Sequence, residues 1–129
     1  MPKPIALVIE DDPGLGDVFS LALRNEFETE IISNGDSAIT RLTQIAPALV
    51  VLDMHLPGTP GKGIFRSIKS DKRLTATKII LCTADAHEAE TLRDQADIVL
   101  LKPVSPIQLR QLGTRGGKMA RKLTNKFYY

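Results

Sequence analysis

A single cysteine, Cys82, leaves a chain of 129 residues with no partner for an internal disulfide. Because it lies within the apolar run Ile79 to Cys82, it reads as a small buried hydrophobe. Long hydrophobic stretches are missing too. None approaches the roughly 20 residues that a spanning helix needs, and Met1-Pro2-Lys3-Pro4 lacks the apolar segment of a secretory signal. The expected compartment is the cytoplasm, with no membrane partner. The chain shows no internal repeat and no low-complexity tract, and its final stretch has no acid at all. Residues 113–129 carry five basic side chains, whereas 1–112 carry 12 Lys or Arg against 15 Asp or Glu. The body is mildly acidic, and the basic segment is expected to be a flexible tail or part of a linker.

What is present is a hydrophobic fraction of 43%, enough for one packed core and one domain. Ile5 to Ile9 reads as a first strand ending in Glu10-Asp11-Asp12. Pro13 suits the first position of a helix capped by Asp12, with Leu15, Val18, Phe19, Ala22 and Leu23 on one buried face. Thr29 to Ser33 is a second strand, and Asn34-Gly35 opens a helix with Ala38, Ile39 and Leu42 inward. The apolar run Ala48 to Leu52 has no polar alternation, as in a strand buried on both faces, and it stops on Asp53 before a Pro/Gly-rich loop. A helix with Ile64, Phe65 and Ile68 inward then runs to about Ser70. Lys78 to Thr83 is a fourth strand, about Ala86 to Asp94 a weaker helix, and Ile98 to Leu101 a fifth strand. Ser105-Pro106 starts a last helix that Gly113 stops. Strands and helices alternate throughout. The expected fold is α/β, a doubly wound five-stranded parallel sheet in the flavodoxin-like order 2-1-3-4-5 with helices on both faces.

In that order strands one and three flank the point where the chain reverses direction across the sheet, so Glu10, Asp11 and Asp53 converge at one mouth. Three carboxylates so placed repel one another, and a cluster of hard oxygens open to water suits Mg²⁺. The same rule brings Thr83 and Lys102 to the rim. Acids, a hydroxyl and an ammonium, without a histidine pair or a serine elbow, suit a phosphoryl group bound on the Asp53 oxygen.

From these residues the chain resembles a response regulator receiver domain of two-component signalling over residues 4–112. The resemblance is carried by Val8-Ile9-Glu10-Asp11-Asp12, by Asp53-Met54-His55-Leu56-Pro57 with Gly61 eight positions past the acid, by Leu81-Cys82-Thr83-Ala84, and by Leu100-Leu101-Lys102-Pro103. It implies that Asp53 is the phosphoacceptor, attacking phosphorus as a nucleophile. Glu10, Asp11, Asp53 and the main-chain carbonyl of His55 would hold Mg²⁺. Lys102 and Thr83 would contact the phosphoryl oxygens, and the side chains of His55 and Asp85 would modulate how long the phosphate survives. A cis Lys102-Pro103 bond is implied as well. The implied partners are a histidine kinase or phosphotransfer protein and a downstream protein. Activity would be limited to the domain's own phosphorylation and dephosphorylation.

Departures from the pattern gather on one side. Val99 stands where an aromatic usually swings inward as the threonine moves. Thr83 and Lys102 are 19 apart, about one helical turn less than expected, which predicts a short fourth helix. Gln95 replaces a glycine, and Val104 an aromatic. These departures motivate an alternative, a pseudo-receiver acting as a phosphorylation-independent interaction module. A hydrolase of the aspartate-nucleophile phosphatase class would want a second Asp at position 55, where His55 stands. Nucleic-acid contact through Arg115, Lys118, Arg121, Lys122 and Lys126 would be non-specific, since nothing in the body resembles a base-reading motif.

Overall fold

Of the five strand segments, four are mostly Val, Ile and Leu, and burial on both faces follows from that composition, whereas the edge segment Glu28–Ile32 carries Glu28, Thr29 and Glu30 and is partly exposed. In the computed structural model, which describes residues 2–104, they form β1 (Ile5–Ile9), β2 (Glu28–Ile32), β3 (Leu49–Asp53), β4 (Lys78–Thr83) and β5 (Ile98–Leu101). Between them lie α1 (Pro13–Leu23), α2 (Gly35–Leu42), α3 (Gly61–Ser70) and α4 (Ala86–Leu92), with a 3-10 turn at Lys72–Leu74. All pairings are parallel and the order is β2-β1-β3-β4-β5. The expected sheet is the observed one.

Side-chain alternation along the strands splits the core in two. Leu7, Ile9, Val50, Leu52, Ile79, Leu81 and Val99 pack with Ala38, Ile64, Phe65, Ile68 and Leu92 on the side of α2, α3 and α4. Ala6, Val8, Leu49, Val51, Ile80, Cys82, Ile98 and Leu100 pack with Phe19 and Leu23 of α1 on the other. Cys82 is fully buried in that second layer, and burial pushes its thiol well above the usual range, so it behaves as the hydrophobe its neighbours suggest.

The helix starts follow from their caps. Asp12 accepts from the amides of Gly14 and Leu15 with Pro13 in the first turn, and Asn34 accepts from Ser37. Two details depart from expectation. β2 lies one residue earlier, at Glu28–Ile32, and Val18 is 43% exposed. The buried stripe of α1 runs through Gly16, Phe19 and Leu23, because Gly16 lets the helix approach β2: a Cβ there would sit 3.2 Å from Ile31 Cγ2. α4 has seven residues and ends at Leu92, short as the Thr83 to Lys102 spacing predicts. The predicted helix from Ser105 and the basic segment 113–129 lie outside the described residues. Among the described residues no helix is long and apolar enough to cross a membrane.

Candidate functional site

Four strand ends supply the site. Asp53 is the last residue of β3 and Thr83 the last of β4, while Glu10 and Lys102 directly follow β1 and β5. Register does the positioning: Ile9 pairs with Leu52, Asp53 with Cys82 and Thr83 with Leu101, so residues far apart in the chain reach one rim. Carboxylate oxygens of Glu10, Asp11 and Asp53 lie within 4.8 Å of one another. Glu10 and Asp53 are each 2% exposed, and Asp11 is open to water.

Backbone donors hold the two buried acids in place. Glu10 Oε2 accepts from the Asp12 amide at 3.1 Å, and Asp53 Oδ1 accepts from the His55 amide at 3.0 Å. The Lys102 ammonium stands 3.3 Å from Glu10 Oε1 and 3.3 Å from Asp53 Oδ1, bridging the pair. Burial, with repulsion from Asp53 and against the opposing help of the Asp12 amide and Lys102, pushes Glu10 up to about 7. Burial works to lower Lys102, but the adjacent Asp53 and Glu10 carboxylates overcome it and hold its ammonium above the usual lysine value. The Lys102-Pro103 peptide is cis, as the resemblance implied.

Three carboxylates facing one ammonium leave a net negative pocket of hard oxygens with one member in solvent. That donor set fits a divalent ion of the Mg²⁺ type, which keeps several waters and binds few carboxylates. Gly61 explains its place in the motif: a Cβ on it would fall 2.4 Å from the Asp53 carbonyl oxygen, so only glycine lets α3 start against the end of β3. Gly35 is equally constrained, with a Cβ 1.7 Å from the Thr59 carbonyl oxygen. Asp36 Oδ1 then accepts from the Thr59 amide and hydroxyl, pinning the β3–α3 loop to the start of α2.

Asp85, expected as a modulator, is the N-cap of α4 and accepts from the amides of His87 and Glu88. His55 is mostly exposed at the mouth, its Nε2 3.4 Å from Glu88 Oε1. Glu88 is the residue that sequence reasoning passed over. Its Oε1 takes the Thr83 hydroxyl at 2.5 Å, while the Asp85 amide donates to that same hydroxyl oxygen at 3.1 Å. The available signal was Asp85-Ala86-His87-Glu88, a helix-start pattern in which an acid three residues past the cap turns back over the helix entrance.

Comparison with known proteins bears on this geometry directly. The family model described as the response regulator receiver domain matches residues 6–113. The chain belongs to the response regulator receiver domain family. Among curated relatives, this receiver is 34% identical over 107 residues to the DNA-binding response regulator MtrA of Mycolicibacterium smegmatis, which covers 80% of this chain and 46% of that protein. It is 35% identical over 107 residues to the transcriptional regulatory protein BaeR of Escherichia coli, covering 80% and 43%. The chain thus spans about half the length of the curated relatives it matches. Among solved structures, DrrB of Thermotoga maritima, described as an OmpR/PhoB homolog, superposes with a TM-score of 0.75 at 27% identity, covering 92% of this receiver and 54% of that chain. The receiver fold and the acidic cluster together support phosphorylation-based signalling.

Proposed function

We propose that this receiver is a phosphorylation-controlled switch, comprising residues 4–112, that accepts a phosphoryl group on Asp53 from a histidine kinase or phosphotransfer protein. The observation that carries the reading is the buried Asp53 carboxylate, held at a strand end by the His55 amide and Lys102 beside the Glu10–Asp11 pair. In the transfer an Asp53 carboxylate oxygen forms the new O–P bond as the donor's P–N bond breaks, and the electron pair leaves with the imidazole nitrogen. Lys102 moves from a carboxylate partner to the phosphoryl oxygens, and Thr83 donates its hydroxyl to them. Mg²⁺ would be held by Glu10, Asp11, Asp53 and the main-chain carbonyl of His55, where it supplies neutralisation of the oxygen charge. His55 and Asp85 flank the mouth and modulate hydrolysis of the acyl phosphate. Any activity is the domain's own phosphorylation and dephosphorylation, and the expected setting is the cytoplasm.

Incubation with phosphoramidate and Mg²⁺, followed by intact mass, tests the reading. One added phosphoryl group, stable to acid and labile to base, is expected on the parent and absent from Asp53→Asn. A parent that stays unmodified, or an equal adduct on the variant, contradicts it. One observation favours a second reading, a phosphorylation-independent interaction module: Val99 is fully buried and offers no aromatic to move. An unmodified parent that still binds its partner is the outcome that reading requires.

A further inference from the structure

Thr83 is fully buried, and its hydroxyl carries one hydrogen. The Asp85 amide donates to the oxygen, and the hydrogen is given to the Glu88 carboxylate, an acceptor-only group when ionised. A hydroxyl so engaged has nothing left to donate to a phosphoryl oxygen. Glu88 Oε1 also stands 3.4 Å from His55 Nε2, and the His55 amide is bonded to Asp53 Oδ1. One carboxylate in the first turn of α4 therefore touches both the end of β4 and the loop that follows the acceptor.

We propose that Glu88 is a positioning residue for phosphoryl uptake: it holds the Thr83 hydroxyl in its phosphate-free arrangement, so that transfer to Asp53 must break the Thr83–Glu88 bond and release the first turn of α4. The proposal rests on Asp53 being the phosphoacceptor. No proton passes through Thr83 in the covalent step, which forms O–P at Asp53 and breaks the donor's P–N bond; the hydroxyl only changes acceptor. Two effects push Glu88 away together. Phosphoryl oxygens compete for the single hydrogen, and their added negative charge repels the carboxylate. α4 is only seven residues long and its first turn is tied at the Asp85 cap, so a carboxylate released there acts on a short element. With Val99 in place of the switching aromatic, Glu88 is, among the described residues, a side chain that links the state of Thr83 to a helix.

The test compares initial rates of uptake from phosphoramidate with Mg²⁺ for the parent, Glu88→Ala and Glu88→Gln, and for both substitutions in a Thr83→Ala background. Glu88→Ala is expected to accelerate uptake about tenfold, the equivalent of one lost hydrogen bond of ordinary strength. Glu88→Gln keeps an acceptor for Thr83 without charge and should give a smaller gain. Without Thr83, the gain from Glu88→Ala should shrink to that same smaller value. A purely structural role would not produce this dependence on Thr83. Equal rates for the parent and both Glu88 variants, or the same gain with and without Thr83, overturn the proposal. Should Glu88→Ala fail to fold, Glu88→Met, which removes the acceptor at similar size, takes its place in the two Thr83 backgrounds: a gain that shrinks without Thr83 supports the proposal, and no gain, or a gain that is the same without Thr83, overturns it. A parent that takes up no phosphoryl group sinks the acceptor reading beneath it, whereas a labelled parent with indifferent variants sinks only the role of Glu88.

Discussion

The mouth of the pocket and the flank formed by α4 and β5 are built from neighbouring strand ends, yet they are held by different means. At the mouth every buried charge has a fixed partner: Glu10 the Asp12 amide, Asp53 the His55 amide, and both of them Lys102. Backbone passes so close that glycine is required at position 61. On the flank a seven-residue helix rests on Ala89 and Leu92, Val99 fills the core where an aromatic would turn, and one carboxylate connects helix to strand. Chemistry at phosphorus needs positions fixed to fractions of an ångström. Transmission of its outcome needs only a bistable contact, and many side chains can supply one.

The largest expected effect lies in the rigid region. Gly61→Ala should destabilise the receiver by about 3 kcal/mol or more, since the added carbon meets main chain that has no room to yield. Gly63→Ala, whose new carbon would meet only the Thr59 methyl at 3.3 Å, should change stability by less than about 1 kcal/mol. Urea denaturation of both measures the contrast, and similar losses would show the close approach at Gly61 to be unimportant.

On the flank, Val99→Tyr should cost about 2 kcal/mol, because a hydroxyl and extra volume enter a site that is fully buried. It should leave phosphoryl uptake unchanged and create no new difference in partner affinity between the two phosphorylation states. A large restored difference would mean that the flank still uses aromatic rotation.

Glu10 gives a pH-dependent effect of somewhat smaller size. Its folded-state value near 7 lies above the usual 4.5, so the folded chain favours the neutral acid, and stability falls as pH rises from about 4.5 to 7. Without divalent ions, Glu10→Gln should therefore stabilise by about 1–2 kcal/mol at pH 8 and by nearly nothing at pH 4. Added Mg²⁺ should stabilise the parent more than the variant, as thermal melts at the two pH values would record.

The smallest effect is expected far from both regions. Glu30 and Arg41 form a bidentate pair at 2.9 and 2.7 Å, and the guanidinium holds Glu30 below the usual carboxylate range. That contribution is present above the ordinary glutamate value and is lost as pH falls through the depressed one. Both side chains are about one-third exposed, so Glu30→Gln should cost about 0.5 kcal/mol at neutral pH, less in high salt.

The same division governs how far the chain could be read before its structure. β1, β4 and β5 lie where their apolar runs predict, because fully buried parallel strands advertise themselves by composition. Asp12 caps α1 as expected, and the acid cluster follows from strand order alone. Val18 misled because hydrophobicity marks a buried stripe only when its members are apolar, and the contact residue here is Gly16, chosen for lack of a side chain. Glu88 was passed over for a related reason. An acid in a first helical turn has a sufficient local explanation in capping and the helix dipole, and its true partner, Thr83, lies across a bend that only coordinates reveal.

The central claim is that groups from four strand ends meet around one cation-sized gap with Asp53 inside it. Titration with Mn²⁺, read by paramagnetic broadening of backbone amide signals, tests this most directly. The account predicts broadening centred on residues 10–12, 53–56 and 83–85, weakened by Asp11→Asn and by Glu10→Gln. Broadening centred elsewhere, or insensitive to both substitutions, would contradict it.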